Sequence, residues 1–153
     1  MKLEFTNTHI RHIRMQYRFN ILLALNCLLL SFLFLSNQVQ VPQWLHVAGR
    51  LHPAVLHFPI ALLFVSAAWE LGIKDQANPL RIPTGNALLW WSGLTAAVTA
   101  LAGFFLSKEG GYEEQALLYH QWTGAAVSLM AFGWYAFRDT LRQSRVKTAI
   151  PAV

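Results

Sequence analysis

The sequence predicts an all-α fold, an integral membrane up-down four-helix bundle with the N and C termini cytoplasmic. Three observations predict it. Apolar residues make up 55% of the 153 and charged residues 12%, against about 25% charged in an ordinary soluble domain. Four apolar runs, 19–36, 51–73, 87–106 and 116–137, carry a single formal charge between them, Glu70. Each is long enough to cross a hydrocarbon core of roughly 30 Å as a helix, and none alternates as a barrel strand does. Finally, Lys and Arg collect on one side of the runs.

The domain reading is a basic cytoplasmic tail at 1–18, a four-span domain at 19–138 and a second basic tail at 139–153. The first run, 19–36, follows Lys2, Arg11, Arg14 and Arg18. A cleavable leader beginning at Met15 competes with a retained span here. The segment SNQVQVP that follows lacks the small-residue cleavage pattern, so a span is expected. Cys27 is the one cysteine, so the chain has neither an internal disulfide nor a C-x-x-C-H haem attachment. The second run opens on GRLHPAVLHFPIALL, with Pro53 placed for a first helical turn. Pro59 is expected to break the helix where its ring meets the carbonyl of Val55.

An inner turn, DQANPLRIPTGN, holds Pro79, Pro83 and Gly85 as helix breakers before the third run. Glu70 and Lys74 are placed as a helical ion pair. An outer turn, SKEGGYEEQ, precedes the fourth run, where Glu113 and Glu114 suit the positive end of a helix.

Ten of the 12 basic residues lie with the tails and the 74–86 turn, and only Arg50 and Lys108 lie opposite. By the positive-inside rule both tails face the cytoplasm of a bacterial inner membrane, in a multi-pass topology. The net charge of +5 then reflects orientation and lipid contact, with no nucleic-acid partner. No nucleophile, carboxylate pair or phosphate loop supports an enzyme acting alone.

With that orientation His46, His52, His57 and His120 fall toward the outer face. His52 sits at the lip of the second run and His57 about 6–8 Å deeper, from the helical rise. His120 falls at a similar depth in the fourth run. The expectation is that His57 and His120 face each other across the bundle. Ala61, Phe64 and Ala68 follow His57 on one face; Gly124, Val127 and Ala131 follow His120; Ala96, Ala100 and Gly103 approach from the third run. Small residues of this kind leave room for a flat group or simply let helices pack closely.

Several chemistries stay open. One b-type haem has His57 and His120 as axial ligands of its iron, with Gly103 and Gly124 beside it. Its propionates then lie near Arg50, His52 and Lys108. Phe58, Phe64, Phe104, Phe105 and Trp122 are available as walls. Alternatively, copper or zinc is held by His52, His57 and His120, with His46 as a further ligand. A quinol hydrogen-bonded to a histidine is a third reading, and a purely structural role is a fourth. Intramembrane imidazoles are costly, which weighs toward function.

LHPAVLHFPIAL followed by GGYEEQALLYHQWTGAA resembles a bacterial four-helix membrane family of unknown function, the domain of unknown function 2231 type. Its signature reads H-P-x-x-x-H-F-P-I-A with a later H-x-W-x-G-like segment, and the resemblance covers about residues 49 to 137. His52, Pro53, His57, Phe58, Pro59 and His120 stand at the matching positions. The family is often linked to c-type cytochromes. The resemblance therefore implies a cytochrome b-like electron-transfer subunit, relaying electrons between quinol or a respiratory-type membrane complex and an external c-type cytochrome. A non-catalytic accessory or assembly subunit of such a complex is the competing expectation.

Overall fold

The computed structural model describes residues 2–72 and 78–149. Among these the chain is all helix and turn: α1 Lys2–Phe34, α2 Gln43–Gly49, α3 His52–Val55, α4 His57–Gly72, α5 Arg81–Ser107 and α6 Glu114–Ala149. Helix α5 is the hub. It packs against each of the other five, while α1 also packs along α6.

Two segments are long and apolar enough to cross a membrane, Ile13–Phe34 and Arg81–Ser107. Gln43–Val55 with His57–Gly72 makes a third if that pair, bent by 42°, is one span. The expected four thus become two or three by length and composition. Helix α6 is long enough at 36 residues, but the run Tyr119, His120, Gln121, Trp122, Thr123 dilutes its apolar character.

Two local expectations are corrected. The second run does not start at Leu51; helix begins at Gln43 and is interrupted twice, at residues 50–51 and at Leu56. Pro59 consequently lies in the first turn of α4, buried, where its missing N–H has no carbonyl to serve. Pro83 and Gly85 do not break a helix, because α5 already begins at Arg81. Pro83 occupies its first turn, and Gly85 is buried because a Cβ there would stand 2.7 Å from Glu70 Oε1 and closer still to the Arg138 guanidinium. Glu70 accepts from Arg138 on another helix, whose Nε lies 2.8 Å away and whose Nη2 also reaches the same oxygen. Lys74, its expected partner, lies outside the described residues. Other expectations match: Pro53 stands in the first turn of α3. Glu113 caps α6, its carboxylate accepting from the N–H groups of Gln115 at 3.0 Å and Ala116 at 2.7 Å.

Between lipid-facing helices there is no hydrophobic drive to associate, so close packing and hydrogen bonds hold them together. Leu29, Leu33, Leu101, Phe104 and Ala125 form a buried cluster that joins α1, α5 and α6. Polar pairs pin the same contacts. Ser128 donates to Asn26 Oδ1 at 2.9 Å, and Ser66 and Ser92 share a hydrogen bond at 3.1 Å. Arg138 ties α6 to α4 and, through the Ile82 carbonyl at 3.2 Å, to α5. Gly49 lets α2 lie against the backbone of α5: a Cβ there would come within 2.6 Å of the Leu106 nitrogen.

Candidate functional site

The approach of Gly49 to Leu106 sets the course of the chain beyond it. Three residues later, His52 lies against α5, where Gly103 has no side chain to obstruct it. A Cβ on Gly103 would stand 2.8 Å from His52 Cε1 and 2.9 Å from Nδ1. His52 Nδ1 lies 2.8 Å from the carbonyl oxygen of Thr99. The carbonyl only accepts, so Nδ1 carries the proton and donates. The lone pair then resides on Nε2, which is free to bind. A ring N–H held by a carbonyl is the usual support of a metal-ligating histidine.

The ring across from it belongs to His120, on α6. The His52 and His120 centroids are 5.9 Å apart with planes at 87°. Among the described residues, no side chain or carbonyl hydrogen-bonds the His120 ring. Cavities open on both sides of the pair. One, of about 270 Å³, runs past Leu106, Ser107, Tyr112, Glu113 and Leu117. A smaller one, of about 30 Å³, reaches Phe104, Gln121 and Gly124. Both are bounded by His52, Gly103 and His120. Gln121 is itself held, donating to Ser107 Oγ at 2.8 Å.

His57 does not take part. It lines neither cavity and is exposed, as are Phe58, Ala61, Phe64 and Ala68 on the same helix; His120 is exposed as well but lines both cavities. Geometry explains this. Five residues along an unbroken helix would turn the side chain by about 140°, and the break at Leu56 bends the chain further, so 52 and 57 do not share a face. The structure thus brings His52 to His120 and leaves the expected partner, His57, on the outside. Gly103 and Gly124 stand where expected, at the cavity walls. Arg50 is exposed and pairs with Glu109 at 2.9 Å. Lys108 donates to the Ser36 carbonyl at 2.5 Å and covers the Phe104 ring at 4.9 Å, so neither cation lines the cavities. Trp122 packs edge-on against Phe34 on the surface. His46, expected as a further metal ligand, is half-buried on α2 with its Nε2 lacking a hydrogen-bond partner. Among the described residues no three His, Cys, Asp or Glu side chains gather as a metal site, so the expected three-histidine arrangement is not assembled.

Sequence reading missed Thr99, Ser107 and Gln121. The signal was present for two of them. Thr99, Gly103 and Ser107 recur every four residues, which is one stripe of α5.

The two imidazoles are the residues that would hold a metal ion here. At metal–nitrogen distances of 2.0–2.1 Å, opposed rings place their centroids about 6.3 Å apart. The 5.9 Å observed is close to that. Perpendicular planes are no obstacle, since each ring turns freely about its metal–nitrogen bond.

Fold and site together define a helical membrane protein with paired imidazoles beneath one end of its central helix. The chain belongs to the family described as "Predicted membrane protein (DUF2231)", whose family model matches residues 48–153. No curated protein and no solved structure matches the chain.

Proposed function

We propose that this chain is a cytochrome b-like electron-transfer subunit of the bacterial inner membrane, holding one b-type haem between His52 and His120. The observation that carries the reading is the His52 ring: Nδ1 fixed on the Thr99 carbonyl, Nε2 turned free, and a second imidazole at 5.9 Å. A bound haem supplies reversible one-electron chemistry. The protein's part is to hold the two nitrogens. Gly103 seats the His52 ring, Gly124 keeps the inner side open, and Phe104 walls it. Partners on this reading are quinol or a respiratory-type complex and an external c-type cytochrome.

The reading includes four crossings with both termini cytoplasmic. Helix α6 supports a fourth crossing despite its polar run. Gln121 and Ser128 bond inward to Ser107 and Asn26, which lowers their cost in lipid. The excess of Lys and Arg on the tail side supports the orientation.

A second reading comes from the 30 Å³ inner cavity, which is far smaller than a macrocycle. It is a single copper ion held by the same two nitrogens, since imidazole suits copper. Purified protein reduced with dithionite distinguishes them: a b-haem spectrum for the first, copper without that spectrum by elemental analysis for the second. On either reading His52→Ala and His120→Ala lose the bound group while His57→Ala keeps it. Protein with neither haem nor copper overturns both. Loss in His57→Ala alone overturns the pairing of His52 with His120.

A further inference from the structure

Helix α4 is covered on one side only. It lies along α5, touches α3 and is tied at Glu70 to Arg138. These contacts bury Pro59 and Ser66 and leave the opposite side bare. His57, Ala61, Phe64, Ala68 and Leu71 are all exposed on that side. Their spacing of four, three, four and three places them within a sector of about 80°. A repeat of this kind is the seam along which two helices interlock. Large and small residues alternate on it. Phe64 and Leu71, 72% and 67% exposed, stand beside the gaps left by Ala61 and Ala68, and small residues let helix backbones approach closely in a membrane.

His57 sets this face apart from the other bare helix faces. Equal steps along α4 and α5 from the contact of Ser66 with Ser92 put His57 level with Leu101, about 9 Å inside the end of α5. Leu101 packs with Leu29 and Leu33 of α1, and α1 carries no formal charge from Phe19 to Phe34. The level is therefore within the apolar band. Elsewhere in that band the outward polar side chains satisfy themselves. Ser31, Thr95 and Thr123 each donate to the carbonyl four residues back, at 2.8 Å. Among the described residues, nothing hydrogen-bonds the His57 ring. Lipid chains offer neither donor nor acceptor, so lipid on this face leaves both ring nitrogens unsatisfied.

A second copy of the chain answers both features. Two copies share one orientation in the membrane, so a two-fold axis along the membrane normal sets α4 parallel to α4 and brings each seam residue to its own counterpart. Pairing like with like is repulsive wherever a face carries Lys, Arg, Asp or Glu; the seam from His57 to Leu71 has none. Imidazole is electrostatically complementary to itself. A neutral ring carries one N–H donor and one lone-pair acceptor, so each of two rings at one level supplies what the other lacks. We propose that the bare face of α4 is the interface of a homodimer, with the two His57 rings hydrogen-bonded across the axis. The interface is independent of the pairing of His52 with His120 and stands or fails without it.

The test is the oligomeric state of the full chain in lipid vesicles, counted by single-molecule photobleaching as protein is diluted into lipid. Dimers are expected. His57→Leu is expected to raise the dissociation constant about three- to tenfold, the range of one interhelical hydrogen bond in a membrane. His57→Asn, which keeps a donor and an acceptor, should raise it less. Ala68→Phe closes the seam and should leave monomers of unchanged helix content by circular dichroism. A second arm uses disulfide crosslinking in a Cys27→Ser background. Ala68→Cys is expected to give linked dimers on mild oxidation. Met130→Cys, on the bare side of α6 at a residue 66% exposed, should not. A chain that stays monomeric at every dilution, dimers unaffected by His57→Leu or by Ala68→Phe, or crosslinking as efficient through Met130→Cys as through Ala68→Cys overturns the proposal.

Discussion

Arg138 and Glu70, 68 positions apart in the chain, form an ion pair almost wholly removed from solvent, with 2% and 11% of their side chains exposed. The pair joins α6 to α4 across the start of α5, and Gly85 supplies the room. Removing one partner of such a pair leaves the other buried without its countercharge. Glu70→Ala is therefore expected to lower stability by about 3–5 kcal/mol, and Glu70→Leu with Arg138→Met by much less. Denaturation in detergent followed by circular dichroism measures both. A double variant no better than the single one removes the electrostatic explanation.

Gly85→Ala tests the same region by sterics. The added methyl group would overlap the guanidinium, so the ion pair must shift or part. A loss of stability comparable with Glu70→Ala is expected. In the Arg138→Met background the same substitution is expected to cost less, because the guanidinium is gone and only Glu70 Oε1 remains close.

Asn26 and Ser128 present a smaller effect of a different kind. Their hydrogen bond crosses between α1 and α6 in the buried interior. Interhelical bonds of this type average about 0.6 kcal/mol and reach about 1.7 kcal/mol in membrane proteins. A double-mutant cycle with Asn26→Leu and Ser128→Ala should return a coupling in that range. Zero coupling would show that each side chain finds other partners.

Gly103→Leu should separate site from fold. The leucine would occupy the place of the His52 ring, displacing it from the Thr99 carbonyl. If the site holds haem or copper as proposed, that group is expected to be lost, with helix content by circular dichroism unchanged. Gly72→Ala, where a Cβ meets nothing within 4 Å, should leave binding intact and serves as the contrast.

Glu113→Ala removes the cap of α6. Its cost is expected to be about 1 kcal/mol, typical of helix N-caps. The loss should appear as faster hydrogen exchange at the N–H groups of Gln115 and Ala116. Unchanged exchange there would mean that the carboxylate does not hold the first turn.

Much of the helical plan was legible in the residues. Apolar runs and Gly-Gly or Pro-rich turns marked α1, α5 and α6, since a chain in lipid must satisfy its backbone within each segment. The break near Pro59 was legible as well, because its ring excludes a continuous helix. Its place was not: the chain breaks at Leu56 and starts anew at His57, so the proline sits in a first turn instead of a helix interior.

The histidines show where such reading stops. Sequence determined that imidazoles would gather at one end, that glycines would stand near them and that Glu113 would cap the last helix. It did not determine which histidines meet. That depended on Gly49 lying against the backbone of Leu106, which rolls His52 onto α5 and turns His57 outward. Likewise, spacing along the chain offered Lys74 to Glu70 but could not reveal Arg138, which reaches the same carboxylate from another helix. Local spacing governs contacts within a helix. Contacts between helices depend on how closely two backbones approach and in what rotation, and that is settled only when the helices pack.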